Sequence, residues 1–334
     1  MESKFPHRHS AHCESGVTSN LMCYQGFEIS EAMSFGIGSG LFFGYMPFLK
    51  VNNIPVTTYR ILPGGIFKRA TSRLGVKVKR QRFRNPEKGM QALDELIAQG
   101  IPVGAQVGVY WLNYFPPALR FHFNAHNLVV YGKRGDEYLI SDPVFDDPVT
   151  CSCEDLMEAR FAKGALAPKG RIYYLLNKPN QAFLKDAIVK GIKEVCNKML
   201  RFPIPLFGVK GIRYLAKQLR HWPERLGEEK ANHYLGQVIR AQEEIGTGGA
   251  GFRFIYAAFL QEAAEILKKD ELLNLSEKLT LIGDRWREFA LGGARNCKGK
   301  ATLEESYPKL AEILVECADK EAEVFRGLRS QIVS

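Results

Sequence analysis

The sequence predicts an α+β domain over residues 1–178 followed by a helical domain over residues 179–334. Three observations carry this expectation. The first half breaks into short apolar runs with alternation and turn residues between them. The second half repeats apolar residues at three- and four-residue spacing over long stretches. A chain of 334 residues also exceeds the usual span of one domain.

In the first half, residues 102–109, 127–131, 138–141 and 171–176 read as strands, and helices fit around 16–24, 65–74, 86–99 and 153–160. Strands mixed with helices in this way give an α+β domain. From about residue 181 the periodicity turns helical, over 183–199, 214–219, 231–244, 252–267, 271–291 and 303–332. A proline-rich break at 202–207 and a glycine run at 246–251 punctuate a pattern that reads as a helical bundle. The glycines at 36–40 lack the spacing of a dinucleotide fingerprint and read as a tight, closely packed turn.

The composition, 46% hydrophobic and 25% charged, is that of a globular chain able to bury a substantial core. No run of about 18 apolar residues is present, so no membrane-spanning helix is expected. The polar N-terminus lacks the apolar stretch of a signal peptide, which points to the cytoplasm. Seven irregularly spaced cysteines imply free thiols in a reducing compartment. Cys151 and Cys153 are too close together for a zinc pair and read as inert thiols. The net charge of +10 is concentrated: between positions 60 and 88 there are ten basic residues, Lys77, Lys79 and Arg80 among them, and one acid, Glu87. Such a field attracts an acidic partner, although a solvated charged face is an equal reading. Nucleic acid is disfavoured as that partner, because no recognition motif accompanies the charge.

Cys13 directly precedes an amphipathic segment with Val17, Leu21 and Tyr24 on one face. A cysteine at a helix start meets unpaired N–H groups and the positive end of the macrodipole, which favour the thiolate and an oxyanion. A buried, inert cysteine is the competing reading. A second segment supplies a base. Two strand-like runs flank Lys133-Arg134-Gly135-Asp136 and predict a hairpin centred near Arg134, which places His126 and Asp142 as cross-strand neighbours with Cβ atoms roughly 5 Å apart. A carboxylate there would fix the imidazole tautomer, whereas a one-residue slip would put the two on opposite faces. His7, His9 and His12 crowd the cysteine, but Pro6 breaks regular spacing and no carboxylate completes a metal site, so no metal is expected. No cofactor is expected either.

The order Cys13, His126, Asp142 is that of papain-like enzymes. Wider stretches resemble the butirosin biosynthesis protein H (BtrH) family: His12-Cys13, Ser30-Glu31, Phe35 to Tyr45, residues 100–104, Tyr110-Trp-Leu-Asn-Tyr114, His126 and Ser141-Asp142-Pro143. The resemblance implies an N-terminal papain-like domain similar to bacteriocin-processing cysteine peptidases, with cysteine, histidine and aspartate as its triad. His7, six positions before Cys13, stands where such enzymes carry an oxyanion-hole residue, usually glutamine. Residues 246–264 with Trp286-Arg287 resemble a helical domain of unknown function often attached to such domains.

The resulting expectation is thiol-dependent acyl transfer from an acyl carrier protein or another thioester to a small-molecule amine, through an acyl-enzyme on Cys13. The basic stretch around Lys77, Lys79 and Arg80 would suit the acidic carrier. A cysteine peptidase or amide hydrolase with the same triad is the alternative, and an inactive binding module is a third.

Overall fold

The computed structural model describes residues 5–51 and 53–333. Helices α1 (Cys13–Tyr24) and α2 (Glu31–Ile37) precede a hairpin of β1 (Leu41–Val51) and β2 (Ile54–Arg60). Then come α3 (Gly65–Arg73), β3 (Val78–Gln81), α4 (Pro86–Ala98), β4 (Val103–Val107), β5 (His126–Arg134), β6 (Glu137–Ser141), β7 (Val149–Ser152), α5 (Cys153–Phe161) and β8 (Ile172–Leu175). The chain ends in α6 (Leu184–Arg201), α7 (Gly208–Leu219), α8 (Trp222–Leu226), α9 (Glu228–Glu243), α10 (Arg253–Leu267), α11 (Glu271–Cys297) and α12 (Tyr307–Val333). The expected α+β class and helical second half both hold.

The described residues fall into two compact units, one of residues up to 34 with 66–184 and the other of 35–65 with 185 onward. The first is built on an antiparallel six-stranded sheet in the order β3-β8-β4-β5-β6-β7. Val103, Ala105, Val107, Leu128, Val130 and Ile140 from the sheet join Leu93 of α4 and Leu156 and Ala159 of α5 in one apolar core. Asn85 caps α4 by accepting from Lys88 N at 2.7 Å, and Pro86 fills the first helical position, which has no N–H to satisfy.

Helix α1 packs against β5. Every residue from Cys13 to Cys23 is buried, although more than half of them are polar or small. Most of their polar groups find partners inside the unit, the Asn20 side-chain oxygen being the exception. Thr18 Oγ1 donates to Glu14 O at 2.6 Å and Ser19 Oγ to Ile29 O at 2.6 Å. A Cβ at Gly16 would lie 2.5 Å from Pro143 Cβ and 2.7 Å from Ser10 Cβ, so only glycine lets α1 approach the segment after β6 this closely.

In the second unit, β1 packs on α7 and β2 on α9, while α11 packs between α10 and α12. Trp286 is fully buried, with the rings of Phe43 and Tyr59 centred 6.0 Å and 5.6 Å away. Beneath it, Arg253 Nε donates to Glu321 Oε1 at 2.9 Å, with both side chains at 0% exposure, and Trp286 Nε1 donates to the same oxygen at 2.7 Å. Arg253 also donates to Gly251 O at 2.8 Å, holding a turn in which Ala250, Gly251 and Phe252 all have left-handed φ of 51°, 56° and 71°. A buried charge pair is tolerable only when its hydrogen bonds are complete, as they are here.

The units depart from the expected 1–178 and 179–334 division in two stretches, of which residues 179–184, grouped with the first unit, are the shorter. Residues 35–65 fall with the helical unit, because the aromatic side chains of their hairpin find their packing partners on α7, α9 and α11. The hairpin was not legible as strands: its apolar run contains Pro47 and lacks strict alternation.

Candidate active site

His12 caps α1, its Nδ1 accepting from Ser15 N at 3.3 Å, so Cys13 is the first helical residue, with 7% exposure. The thiol therefore sits at the positive end of the helix. Two carboxylates brace this start. Glu31 accepts from Ala11 N at 2.9 Å, His12 N at 2.7 Å and Ser15 Oγ at 3.1 Å. Burial raises the Glu31 carboxyl pKa despite these donors. Glu14 accepts from Ile66 N at 2.9 Å and Phe67 N at 3.1 Å, two N–H groups of the first turn of α3.

The hairpin of β5 and β6 turns at Gly135-Asp136, with Arg134 paired to Glu137 and Lys133 to Tyr138. That register, carried through unbroken, would set His126 and Asp142 on opposite faces. A bulge at Tyr131, between the Val130 and Gly132 pairs, inserts one residue. Beyond it Val129 pairs with Ser141 and Val130 with Ile140, so the ladder runs toward Val144 opposite His126. Asp142 is then the diagonal, same-face neighbour of His126, not its direct partner.

The two side chains meet: His126 Nε2 lies 2.7 Å from Asp142 Oδ2, at 5% and 0% exposure. Tyr114 donates its hydroxyl to the same Oδ2 at 2.8 Å, and Val144 N donates to Oδ1 at 3.3 Å. With Nε2 engaged by Asp142, Nδ1 is the ring nitrogen left over, and the Cys13 side chain is near enough to raise the imidazole's basicity. Burial works against a charged imidazole, but the Asp142 carboxylate and the Cys13 sulfur outweigh it and push His126 up to about 10. Burial beside Asp142 likewise holds the Tyr114 hydroxyl well above its usual range, so it remains a donor. A thiol at a helix start, an imidazole near it and a buried carboxylate behind the imidazole make a set of groups that could activate the thiol.

His7 does not fill the oxyanion position expected of it. Its Nε2 donates to Phe145 O at 3.1 Å and its Nδ1 bonds Ser141 Oγ at 2.8 Å. Both ring nitrogens are spent holding the segment on either side of Asp142, which leaves no N–H for an oxyanion. Tyr114, Asn127 and Glu31 were not singled out for the site, although Asn127 directly follows His126 in sequence. Asn127 Nδ2 approaches Cys13 Sγ at 4.0 Å.

Lys77, Lys79 and Arg80 are exposed on and beside β3, the edge strand of the sheet, where charge also discourages edge-to-edge pairing. The Arg80 guanidinium lies 5.5 Å from the Phe67 ring centre. Arg60 belongs to the other unit, so the basic run is divided. Among the described residues, no three His, Cys, Asp or Glu side chains form a group able to hold a metal ion, and no helix is long and apolar enough to cross a membrane.

Residues 12–143, which contain Cys13, His126 and Asp142, match the family model described as butirosin biosynthesis protein H, N-terminal. Residues 154–328 match a domain of unknown function, DUF4872. No curated protein matches the chain. Among solved structures, a protein described as a C39-like peptidase from Bacillus anthracis is similar at 14% identity and a TM-score of 0.37, covering 53% of this chain and 96% of that one. Since the second model takes in more than half of the residues, the chain belongs to the DUF4872 family, and the region ahead of that domain is similar to the N-terminal region of butirosin biosynthesis protein H.

Proposed function

We propose that the chain catalyses thiol-dependent acyl transfer from a carrier-bound or other thioester to an amine. The observation that carries this reading is the enclosed line of Cys13, His126 and Asp142. Cys13 thiolate attacks the thioester carbonyl, and a carbon–sulfur bond forms as the carbonyl electron pair moves onto oxygen. The intermediate collapses with loss of the donor thiolate, which takes a proton from the His126 imidazolium. An amine, relieved of a proton by His126, then attacks the acyl-enzyme and frees Cys13. Asp142, with Tyr114 behind it, holds the imidazole in place and stabilises its charge. The low exposure of Cys13, 7%, supports transfer over hydrolysis, because an acyl group on it is screened from bulk water.

The donor is proposed to be an acidic acyl carrier protein docking on Lys77, Lys79 and Arg80. Charge reversal at these three should slow acylation by a carrier protein while sparing a small cysteamine thioester, because steering acts on the docking step alone. Intact-mass spectrometry with a panel of acyl thioesters tests the whole reading. An adduct of the acyl mass, lost in Cys13→Ala and discharged by amines as amide, supports it. Discharge by water with no amide formed marks a hydrolase. Absence of any adduct overturns the acyl-enzyme.

A further inference from the structure

An acyl-enzyme mechanism needs donors for the oxyanion, and removal of one such donor typically costs about 10²–10³ in rate. The backbone N–H of Cys13, at the start of α1, is one. The upstream side chain expected as the second, His7, is spent on Ser141 and Phe145. A different amide stands in reach. Asn127, 7% exposed, donates from Nδ2 to Ala125 O at 3.1 Å, and its Oδ1 accepts from the Tyr173 hydroxyl at 2.9 Å. A carbonyl can only accept, so the Ala125 contact fixes which end of the amide is nitrogen. The second Nδ2 hydrogen is then free for the sulfur side, where Nδ2 lies 4.0 Å from Cys13 Sγ.

That distance is long for a hydrogen bond to sulfur itself. It suits an oxygen on a carbon bonded to that sulfur, since a donor belongs about 3 Å from the oxyanion and therefore farther from the sulfur. The support behind Asn127 is rigid. Tyr173 is 6% exposed on β8, and its ring packs 4.4 Å, centre to centre, from Phe67. Gly104 of β4 pairs with Tyr173, and a Cβ there would fall 2.2 Å from the Tyr173 ring. The glycine leaves room for the ring to lie across the strand and present its hydroxyl to Asn127.

We propose that the Asn127 side-chain amide is the second oxyanion donor of this site, held in orientation by Tyr173, a role that rests on the acyl-enzyme reading above. When Cys13 sulfur bonds the acyl carbon, the carbonyl oxygen gains the electron pair and receives the N–H bonds of Cys13 and Asn127. On collapse the pair returns to re-form the carbonyl and the leaving thiolate departs with the His126 proton.

The test compares two reactions of the same thiol. Acylation by p-nitrophenyl acetate, followed as the burst of p-nitrophenolate, passes through an oxyanion; alkylation by iodoacetamide does not. In Asn127→Ala the acylation rate should fall about 10²-fold or more while alkylation stays within a few-fold of wild type. Tyr173→Phe, which keeps the ring and its packing, should lower acylation about tenfold with alkylation again unchanged. Acylation undiminished in Asn127→Ala, or both reactions falling together in both variants, overturns the proposal and leaves the acyl-enzyme standing. Failure of the wild-type chain to acylate at Cys13 overturns the acyl-enzyme reading and this proposal with it.

Discussion

Cys13, Cys151 and Cys196 are all enclosed thiols, and their surroundings separate them chemically. Burial pushes Cys151 and Cys196 up to about 12 each, with carboxylates near Cys151 adding to it. Cys13 instead opens a helix and neighbours the His126 imidazole closely enough to raise its pKa. Limiting iodoacetamide at neutral pH should therefore label Cys13 ahead of Cys151 and Cys196, as read by peptide mapping; equal labelling would remove its claim to be the nucleophile. His126, raised from 6.5 to about 10, keeps its proton across neutrality. Turnover should fall as pH rises through about 10, where the acid for the leaving group is lost. Stability should follow the same direction: the imidazolium contributes fully below pH 6.5, and that contribution fades as pH climbs through about 10, measurable as a falling denaturant midpoint. Asp142→Asn should leave the fold intact and lower turnover by up to about 10⁴, the loss seen when an orienting carboxylate is neutralised. Cys13, His126 and Asp142 can be picked out by residue type and chain order, and the structure brings His126 and Asp142 together. Tyr114 and Asn127 cannot be picked out in that way, because their value lies in a hydrogen bond across 28 residues and an approach across 114.

At the scale of elements, the hairpin that brings His126 to Asp142 shows how a local pattern can indicate the right pair by a wrong register. A symmetric hairpin about Arg134 makes the two direct partners. The actual turn lies at Gly135-Asp136, and the extra residue at Tyr131 restores the parity that this offset would lose. Nothing in the composition of residues 126–142 announces a bulge, whereas the turn and the alternation are plain. Helix α1 has a comparable dependence on one position. Gly16→Ala sets a Cβ against Pro143 and Ser10, which is expected to destabilise the protein by about 1–3 kcal/mol. It should also lower turnover by more than the folded fraction falls, because the residue displaced adjoins Asp142. Activity measured at saturating substrate on material of matched folded fraction separates the two effects.

At the scale of the whole molecule, the change from short apolar runs to long three- and four-residue periodicity located the helical half, since α6, α9, α10, α11 and α12 carry that pattern over their length; α7 was legible only in its second half, and the five-residue α8 is too short to show it. The contribution of residues 35–65 to that half was invisible, because membership of a core is a long-range property. A fragment ending at residue 178 would keep that hairpin without α7, α9 and α11, and is expected to be less soluble than the same fragment with residues 35–65 replaced by a short glycine-serine linker, as read by the soluble share on expression. The interleaving also sets an order on synthesis. A ribosome delivers Cys13 first, then Phe43 and Tyr59, then His126 and Asp142, and only much later Trp286, against which those two aromatic rings pack. From the emergence of β2 until α7, α9 and finally α11 leave the exit tunnel, the nascent chain carries an incompletely covered aromatic hairpin, a surface of the kind that chaperones shield and that pairs with its own copies when they do not.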